Sequence, residues 1–304
     1  MDKHLRGRAS LRRPRQRQNF LTADAPHGTF QAMTQYLSSS DDLAALIPDG
    51  AQVAIAKPPL SPCALAGAMI RRGVKNLHLV TSPTQAYIAD LLIGGGSVSL
   101  VETSGVSLGE LGPAPRFTAA VKSGAIRIKD STCPAVYAAI QAGEKGQPFA
   151  PLRGLIGSDV LASRPDYKVI DNPFEPGDDI VLLPAIRPEF ALIHAAKADR
   201  FGNVWVGGRH ELKSLSHAAK QSLITVEEIV EGDLRLDETT APNLISGLYA
   251  TAIAKAPHGA WPDAAPGYYG FDEDAVIRYG AEARSDKGFN AWLSDHILPS
   301  VAAE

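Results

Sequence analysis

The sequence predicts an α/β fold with an open, mostly parallel sheet and flanking helices. Strands of about five residues alternate with helices of about ten from residue 40 to residue 143. This alternation is typical of repeated βαβ units, whose helical crossovers cover both faces of a parallel sheet. The chain has 304 residues, 45% of them hydrophobic and 21% charged, so it can build a sizeable core.

The first half of the chain supplies most of the predicted βα repeats. A serine oxygen can cap the helix expected at 38–47, where acidic residues of the first turn favour the positive end of the helix dipole. The helix expected at 62–73 starts with a proline and ends with a glycine. The other predicted strands are 51–56, 76–81, 97–102 and 125–130, and the other predicted helices are 83–96, 115–124 and 132–143.

The second half departs from this rhythm. Residues 151–179 are rich in proline, glycine and aspartate and are predicted to form loops. Two apolar segments, 189–196 and 203–208, flank the polar stretch KADRFGN and predict an additional hairpin region. The other expected strands are 180–186, 221–230 and 248–257, and the expected helices are 210–220, 272–283 and 287–298.

The N-terminus differs in composition from the rest of the chain. Residues 1–30 are rich in arginine, poor in apolar residues and lack the apolar core of a secretory signal. A transit peptide or an arm for anionic surfaces fits this composition, as does a disordered tail or a true start at Met33. We expect a basic, disordered extension at 1–30 and a single α/β domain over 31–304.

Composition and motifs exclude several classes of protein. The net charge of −3 gives no general attraction to nucleic acid, and no apolar run approaches the roughly 18 residues of a membrane helix. Two cysteines, Cys63 and Cys133, are too few for a disulfide framework, and no Cys/His spacing predicts a metal site. The loop AKPPLSP after the first strand has prolines where a phosphate-binding loop needs glycines. We expect a cytoplasmic protein without nucleic-acid or membrane partners.

Ligands of open parallel sheets bind beyond the carboxyl ends of the strands, so these loops contain the candidate site. Glu102 ends a predicted strand and could be a nucleophile or base if desolvation raises its pKa; otherwise it is a solvated loop carboxylate. Cys133 begins a predicted helix, whose N–H groups can lower a thiol pKa; otherwise it is an inert buried cysteine. Candidate substrate-binding residues are Ser82, Thr103, Ser104 and Cys133.

The predicted hairpin also contains polar residues. His194 lies within an apolar strand and is expected either to be a hydrogen-bonded core histidine or to border a cleft. Asp199, Gly202 and Asn203 are residue types that a tight turn requires. No Ser-His-Asp set and no GxSxG turn accompany them. The residues alone therefore do not form a complete catalytic set, which suggests a site completed by another chain.

Four segments in order resemble the A subunit of glutaconate CoA-transferase and related family I CoA-transferases. They are DYKVIDNPFEPGDDIVLLPAI, ALIHAAKADRFGNVWVGG, AAKQSLITVEEIV and KAPHGAWPDAAPGYYGFDED. The resemblance is strongest over 167–274 and extends to the A subunit of steroid ring-cleavage hydrolases. It implies the CoA-transferase (NagB/RpiA-like) fold, a coenzyme A thioester as substrate, and no permanently bound cofactor or metal.

The resemblance also implies a B subunit, in a heterodimer or a larger hetero-oligomer, that carries the nucleophilic glutamate. His194, Asp199, Gly202 and Asn203 then lie beside the subunit contact and the cleft. Two departures stand out. The loop AKPPLSPCALA lacks the family's glycines, and Thr132 and Cys133 stand where the hydrolase branch has an acidic residue.

Three functions remain open from the sequence. The first is that of a CoA-transferase chain of the A type, which moves CoA between an acyl-CoA and a carboxylic acid. The second is a CoA-thioester hydrolase of the same architecture, with water as the final acceptor. The third is a non-catalytic ligand-binding relative, which the proline-rich loop favours. The acyl group remains open among glutaconate, a 3-oxoacid and a ring-cleavage product.

Overall fold

A computed structural model describes residues 34–298 of the chain. The predicted basic extension at 1–30 lies outside these residues. Thirteen strands run through the described part: β1 (Gln35–Leu37), β2 (Gln52–Ala56), β3 (Leu77–Ser82), β4 (Val98–Thr103), β5 (Arg127–Asp130), β6 (Phe149–Leu152), β7 (Lys168–Asn172), β8 (Glu175–Pro184), β9 (Phe190–Asp199), β10 (Val204–Trp205), β11 (Gln221–Val230), β12 (Leu244–Ile245) and β13 (Ala252–Lys255).

Nine α-helices connect or follow the strands within 34–298. They are α1 (Ser40–Ala45), α2 (Cys63–Arg72), α3 (Tyr87–Gly94), α4 (Pro115–Ser123), α5 (Cys133–Glu144), α6 (Asp159–Ser163), α7 (His210–Ala218), α8 (Glu273–Glu282) and α9 (Asp286–His296). In the same range, no helix combines the length and apolar character needed to cross a membrane.

The main sheet is open and mostly parallel, as predicted. Its strands follow the order β1-β13-β11-β9-β2-β3-β4-β5, and every neighbouring pair on this path is parallel. The predicted hairpin is also present, because β10 returns antiparallel to β9 and pairs with β12. Parallel pairing places the carboxyl ends of β2, β3, β4 and β5 at one edge of the sheet, where ligands of such folds bind.

Local sequence signals set several helix boundaries. The Ser39 hydroxyl accepts a hydrogen bond from the backbone N–H of Asp42 and caps α1. Gly73 follows α2 and Gly124 follows α4, both in the left-handed conformation that glycine adopts without strain. Thr132 caps α5 with its hydroxyl. The predicted helix ends are therefore confirmed where capping chemistry is explicit in the sequence.

Hydrophobic residues alternate between two helical layers. On β9, Leu192 belongs to a core that includes Leu65 of α2, whereas the next residue, Ile193, belongs to a core with Val136 of α5 and Leu215 of α7. Successive side chains of a strand point to opposite faces, so each core strand serves both layers. The helices α5 and α7 are consequently neighbours on one face of the sheet, which positions the site described below.

The prediction of loops over 151–179 is wrong for much of that segment. β7 and β8 pair antiparallel, β8 also pairs with β6, and the short helix α6 precedes them. These strands are largely exposed, so the hydrophobic alternation that identifies a half-buried strand is weak, while proline, glycine and aspartate dominate the composition. Two other predicted strands are shorter than expected: 203–208 contributes only Val204–Trp205, and 248–257 only Ala252–Lys255.

Candidate functional site

The loop after β2 is held against the start of α7 by Arg209. The Nη2 atom of Arg209 donates to the carbonyl oxygen of Lys57 at 2.6 Å, and Nη1 contacts the carbonyl oxygen of Pro59. The Nε atom of the same residue donates to Glu211 Oε1 at 2.6 Å. Arg209 thereby fixes the proline-rich loop and also neutralises the carboxylate of the first turn of α7.

The ends of β3 and β4 and the start of α5 bring Ser104 and Cys133 together. The Ser104 hydroxyl donates to the carbonyl oxygen of Pro83 at 2.9 Å and lies 3.1 Å from Cys133 Sγ. Thr103 is buried, and its hydroxyl lies 2.6 Å from that of Thr81. Cys133 begins α5, as predicted, but its side chain is exposed, so the expectation of a buried cysteine is wrong.

A cleft of about 380 Å³ opens between α5 and α7, above the end of β3. Ser82, the last residue of β3, is only 1% exposed and lies at its base. The rest of its lining comes from the two helices: Tyr137, Ile140, Gln141, His210, Glu211 and Ser214. Its size is at the lower end of the roughly 300–1,000 Å³ that small-molecule sites occupy.

Helical spacing explains why α5 presents one polar face to this cleft. Residues four apart lie on the same face of a helix, so Cys133, Tyr137 and Gln141 form a single row. The pKa of Tyr137 is raised, first by burial and then by the nearby Glu211 and Cys133, while Arg209 opposes this. The phenol therefore remains protonated and can donate a hydrogen bond. Sequence reasoning placed these residues on a helix but missed their role, although the four-residue spacing was visible.

Glu102 is buried in a cluster of charged residues. Its Oε1 atom accepts a hydrogen bond of 2.7 Å from Arg164 Nη2, and Oε2 lies 3.8 Å from Lys129 Nζ. His78 Nε2 lies 3.3 Å from Oε2. Arg164 is itself 3% exposed and also holds Asp166. These contacts connect β4 and β5 to the segment that follows α6.

Glu102 lacks the raised pKa that was expected of a nucleophile or base at this position. Burial by itself raises the pKa of the carboxyl, but His78, Arg164 and Lys129 together lower it below its usual value. The carboxylate is therefore strongly favoured and already occupied by its partners. Glu102 is also not a solvated loop residue, because it is 4% exposed. The geometry makes it a structural anchor.

His194 forms part of a buried network that joins β9 and β11 to the segment after β13. Its side chain is fully buried, with Nδ1 2.9 Å from Thr225 Oγ1 and Nε2 2.8 Å from Glu227 Oε1. The hydroxyl of Tyr269 donates to the same Glu227 oxygen, and the backbone N–H of His258 donates to the other at 2.7 Å. His194 is thus a hydrogen-bonded core histidine, and its place beside a subunit contact stays a prediction.

Asp199, Gly202 and Asn203 build the turn between β9 and β10. Asp199 is fully buried, and its carboxylate accepts hydrogen bonds from the backbone N–H groups of Phe201, Asn203 and Leu234 at 2.9 to 3.0 Å. Gly202 has a φ of +85°, and a Cβ there would lie 2.2 Å from the hydroxyl oxygen of Thr34. The turn itself accounts for all three residues, and an interface role for them remains a prediction.

The described residues contain no group of three or more His, Cys, Asp or Glu side chains placed to hold a metal ion. The polar groups that line the cleft, as far as residues 34–298 show it, are hydroxyl, amide and imidazole groups and the carboxylate of Glu211. A parallel sheet with a cleft beyond the carboxyl ends of its strands is typical of α/β proteins that bind small ligands.

The chain belongs to the coenzyme A transferase family, whose sequence profile matches residues 37–246. It is 34% identical to the A subunit of the 3-oxoadipate CoA-transferase of Pseudomonas knackmussii over 273 residues, which cover 87% of this chain and 94% of that protein. The crystal structure of glutaconate coenzyme A-transferase from Acidaminococcus fermentans superposes with a TM-score of 0.82 at 26% identity, covering 88% of this chain and 90% of that chain.

A further relative comes from the hydrolase branch. The cholesterol ring-cleaving hydrolase IpdA subunit of Mycobacterium tuberculosis is 28% identical over 275 residues, which cover 86% of this chain and 93% of that protein. Together these similarities confirm the predicted fold and the predicted resemblance to the A subunits of family I CoA-transferases. The chain is accordingly a CoA-transferase subunit of the A type.

Proposed function

We propose that the chain is one half of a CoA-transferase whose nucleophilic glutamate is carried by a partner B subunit. The enzyme moves CoA between an acyl-CoA and a carboxylic acid. Its substrate is a coenzyme A thioester, it holds no permanent cofactor, and it works in the cytoplasm. The A chain supplies the walls of the acyl site and the hydrogen-bond donors around it.

The observation that supports this proposal is that both candidate carboxylates of this chain are paired with arginines. Glu211 is the only carboxylate among the described residues that line the cleft, and it is held by Arg209. Glu102, the one carboxylate that the sequence suggested as a nucleophile, is held by Arg164. A carboxylate nucleophile must be free to attack, and neither of these is free. The reactive group is therefore expected from outside this chain.

The proposed chemistry divides one carboxylate-to-thioester exchange into balanced steps. The partner's glutamate attacks the acyl-CoA carbonyl, the C–S bond breaks, and CoA leaves as thiolate from a mixed anhydride. The thiolate then attacks the glutamyl carbonyl and displaces the first acid as its carboxylate. The second acid attacks this glutamyl thioester, the C–S bond breaks, and CoA thiolate leaves a second mixed anhydride. The thiolate then attacks the acyl carbonyl of that anhydride, which releases the new acyl-CoA and the free glutamate. Binding of the distant CoA portion can drive the reacting end.

A hydrolase is the second candidate, and the similarity to the IpdA subunit is the observation that favours it. In that case water accepts the acyl group, and CoA is released without a carboxylic acid acceptor. The two functions share the first substrate and differ in their dependence on the acceptor. This difference gives a direct way to distinguish them.

The decisive experiment is co-expression of the chain with a B-type partner, followed by an assay of acyl-CoA donors against carboxylate acceptors. We expect new acyl-CoA to form only in the complex and only when an acceptor is present. Release of free CoA thiol at the same rate without an acceptor would favour the hydrolase. Full transfer activity in the purified A chain alone would contradict the shared site.

The covalent intermediate gives a second test. Hydroxylamine or borohydride should inactivate the complex only after treatment with acyl-CoA, because each destroys a glutamyl thioester. The label should appear on the partner chain. The Glu102→Gln variant should be labelled and inactivated on the partner to the same extent as the unmodified complex. A label on Glu102 would overturn the structural assignment of that residue.

A further inference from the structure

The three-stranded sheet β6-β8-β7 is apolar on both of its faces. Val181 and Leu183 of β8 are fully buried in the core, whereas Ile180 and Leu182 alternate with them and lie on the outer face. An antiparallel sheet with one solvated face normally carries polar residues on that face. A strand that is apolar on both sides is typical of a strand covered on both sides. The outer face of this sheet is therefore expected to meet a second layer.

The outer face forms a groove of about 450 Å³. Its apolar lining comes from all three strands and from the turn between β7 and β8: Phe149, Pro151, Ile170, Phe174, Ile180 and Leu182. Phe174 lies in that turn and is 94% exposed, more than any other large hydrophobic residue between 34 and 298. Soluble proteins rarely leave a contiguous apolar surface of this kind open unless it binds something.

The edges of the sheet are protected against the addition of a further strand. Pro151 of β6 has no N–H to offer such a strand. The strand β7 has only five residues, and its pairing with β8 is irregular between Asp171 and Asn172. Short edge strands, proline and irregular pairing are features with which proteins prevent edge-to-edge association. A partner is therefore expected to bind the face of the sheet through side chains.

The same face carries a projecting side chain and a groove of opposite charge. Glu175 follows the projecting Phe174, and its side chain is 71% exposed. Arg153 lines the groove, and its side chain is 63% exposed. Its Nε and Nη2 atoms donate to Asp178 of the same chain, and a guanidinium has further N–H groups to donate. A surface that contains both halves of a contact fits a second copy of itself about a two-fold axis.

We propose that the outer face of the β6-β8-β7 sheet binds the same face of a second copy of this chain. Phe174 of each copy enters the groove of the other, and Glu175 lies beside Arg153 of the other copy. The two Phe174 side chains bury about 300–500 Å² in this arrangement. The groove residues contribute the rest of the roughly 1,200–2,000 Å² that a stable interface needs. None of the groove residues lines the cleft between α5 and α7, so the contact joins two enzyme units and leaves both clefts open.

Sedimentation of the complex with its B subunit counts the copies. We expect a particle with two A chains and two B chains, which dissociates on dilution into single AB pairs. Phe174→Asp should raise the Kd of this dissociation by about a hundredfold or more, because an aromatic anchor is lost and a carboxylate is placed in an apolar groove. The full-length chain without its B subunit should also form a dimer that Phe174→Asp dissociates. Neither measurement requires turnover, so both are independent of the proposed CoA transfer.

Leu236→Asp is the matched control for the introduced charge. Leu236 is 83% exposed and does not line the groove, so this variant should keep the Kd of the unmodified complex. Both variants should also keep its melting temperature, because both side chains are already exposed. Single AB pairs at every concentration, or equal effects of Phe174→Asp and Leu236→Asp, would overturn the proposal. Loss of the B subunit from Phe174→Asp would show that the groove binds that subunit, and would overturn it as well.

Cross-linking identifies the surfaces that meet. In a Cys133→Ala background, which lacks the exposed thiol, chains with Arg153→Cys are mixed with chains with Glu175→Cys. A short bismaleimide should join two chains in the mixture and few in either variant alone, because the groove of one copy meets the projecting turn of the other. Equal cross-linking in each variant alone, or none in a mixture that still sediments as a dimer, would refute the two-fold contact.

Discussion

Replacement of Arg164 by methionine removes the main partner of a buried carboxylate. Arg164 is 3% exposed and donates to Glu102 at 2.7 Å, to Asp166 at 2.9 and 3.0 Å, and to the carbonyl oxygen of Asp130 at 3.0 Å. Its guanidinium also lies 4.0 Å from the ring centre of Tyr167. Methionine retains much of the side-chain volume but none of these hydrogen bonds. Glu102 is then left buried, with only the more distant Lys129 and His78 nearby.

The expected cost follows from this geometry. Removal of one partner of a buried ion pair costs about 3–5 kcal/mol, because the other charge remains buried without compensation. For a chain of this size, each kcal/mol lowers the melting temperature by about 2–4 °C, so we expect a fall of roughly 6–20 °C. Chemical denaturation and calorimetry of the purified protein measure both quantities.

Arg153→Met is the matched control. Arg153 also pairs with an aspartate, Asp178, but its side chain is 63% exposed. Exposed ion pairs contribute about 0–1 kcal/mol, so the same substitution should have little effect there. In the double variant Arg164→Met with Glu102→Gln, part of the lost stability should return, because the unpaired charge is gone. Equal small losses in Arg164→Met and Arg153→Met would show that the Glu102 cluster does not anchor the sheet.

Three further outcomes are expected. Cys133→Ala should leave CoA transfer largely intact, because neither the proposed attack nor the proposed thiolate steps use this thiol; complete loss of turnover in a folded complex would give the exposed thiol a chemical role. The pKa of Glu102 is lowered in the folded protein, so its contribution to stability is complete above its ordinary value of 4.5 and is lost as the pH falls below it. Unfolding measured against pH should show a shallower acid slope in Glu102→Gln and an unchanged slope in Glu110→Gln, whose carboxylate is exposed and has no ion pair within 34–298; identical slopes in both would contradict the cluster. Gly202→Ala should destabilise the protein by about 1–3 kcal/mol, since φ is +85° and the new Cβ meets Thr34, whereas Gly154 has open space around it and Gly154→Ala should be nearly neutral in the same melting experiment.

The sequence predicted those parts of the fold whose signals are local. Alternating apolar strands and capped helices were visible from Ser39 to α5, and the turn at Gly202 was visible from its residue types. The strand β7 and the first half of β8 were missed, because exposed strands bury too few side chains to leave a periodic pattern, whereas the second half of β8 lies within the strand expected at 180–186.

The candidate site was less predictable, because its contacts are distant in the chain. Glu102 and Arg164 are 62 positions apart, and no local pattern connects them. The burial of Ser82 beside the cleft is a property of three-dimensional packing, since serine in a sequence does not show whether it is buried. Tyr137 and Gln141 could have been found from their spacing to Cys133. The resemblance indicated the family, but the identity of the cleft residues required the structure.

Two arginines give a physical reason why the nucleophilic glutamate is proposed to lie on the partner chain and not on this one. Arg164 holds Glu102 and Arg209 holds Glu211, so a substrate carboxylate entering the cleft meets no free anion from the described part of this chain. A glutamate nucleophile fixed permanently in the same cleft would repel a substrate carboxylate that enters it. If a carboxylate acceptor were bound with equal affinity after Arg209→Met exposed the Glu211 charge, this electrostatic argument would fail.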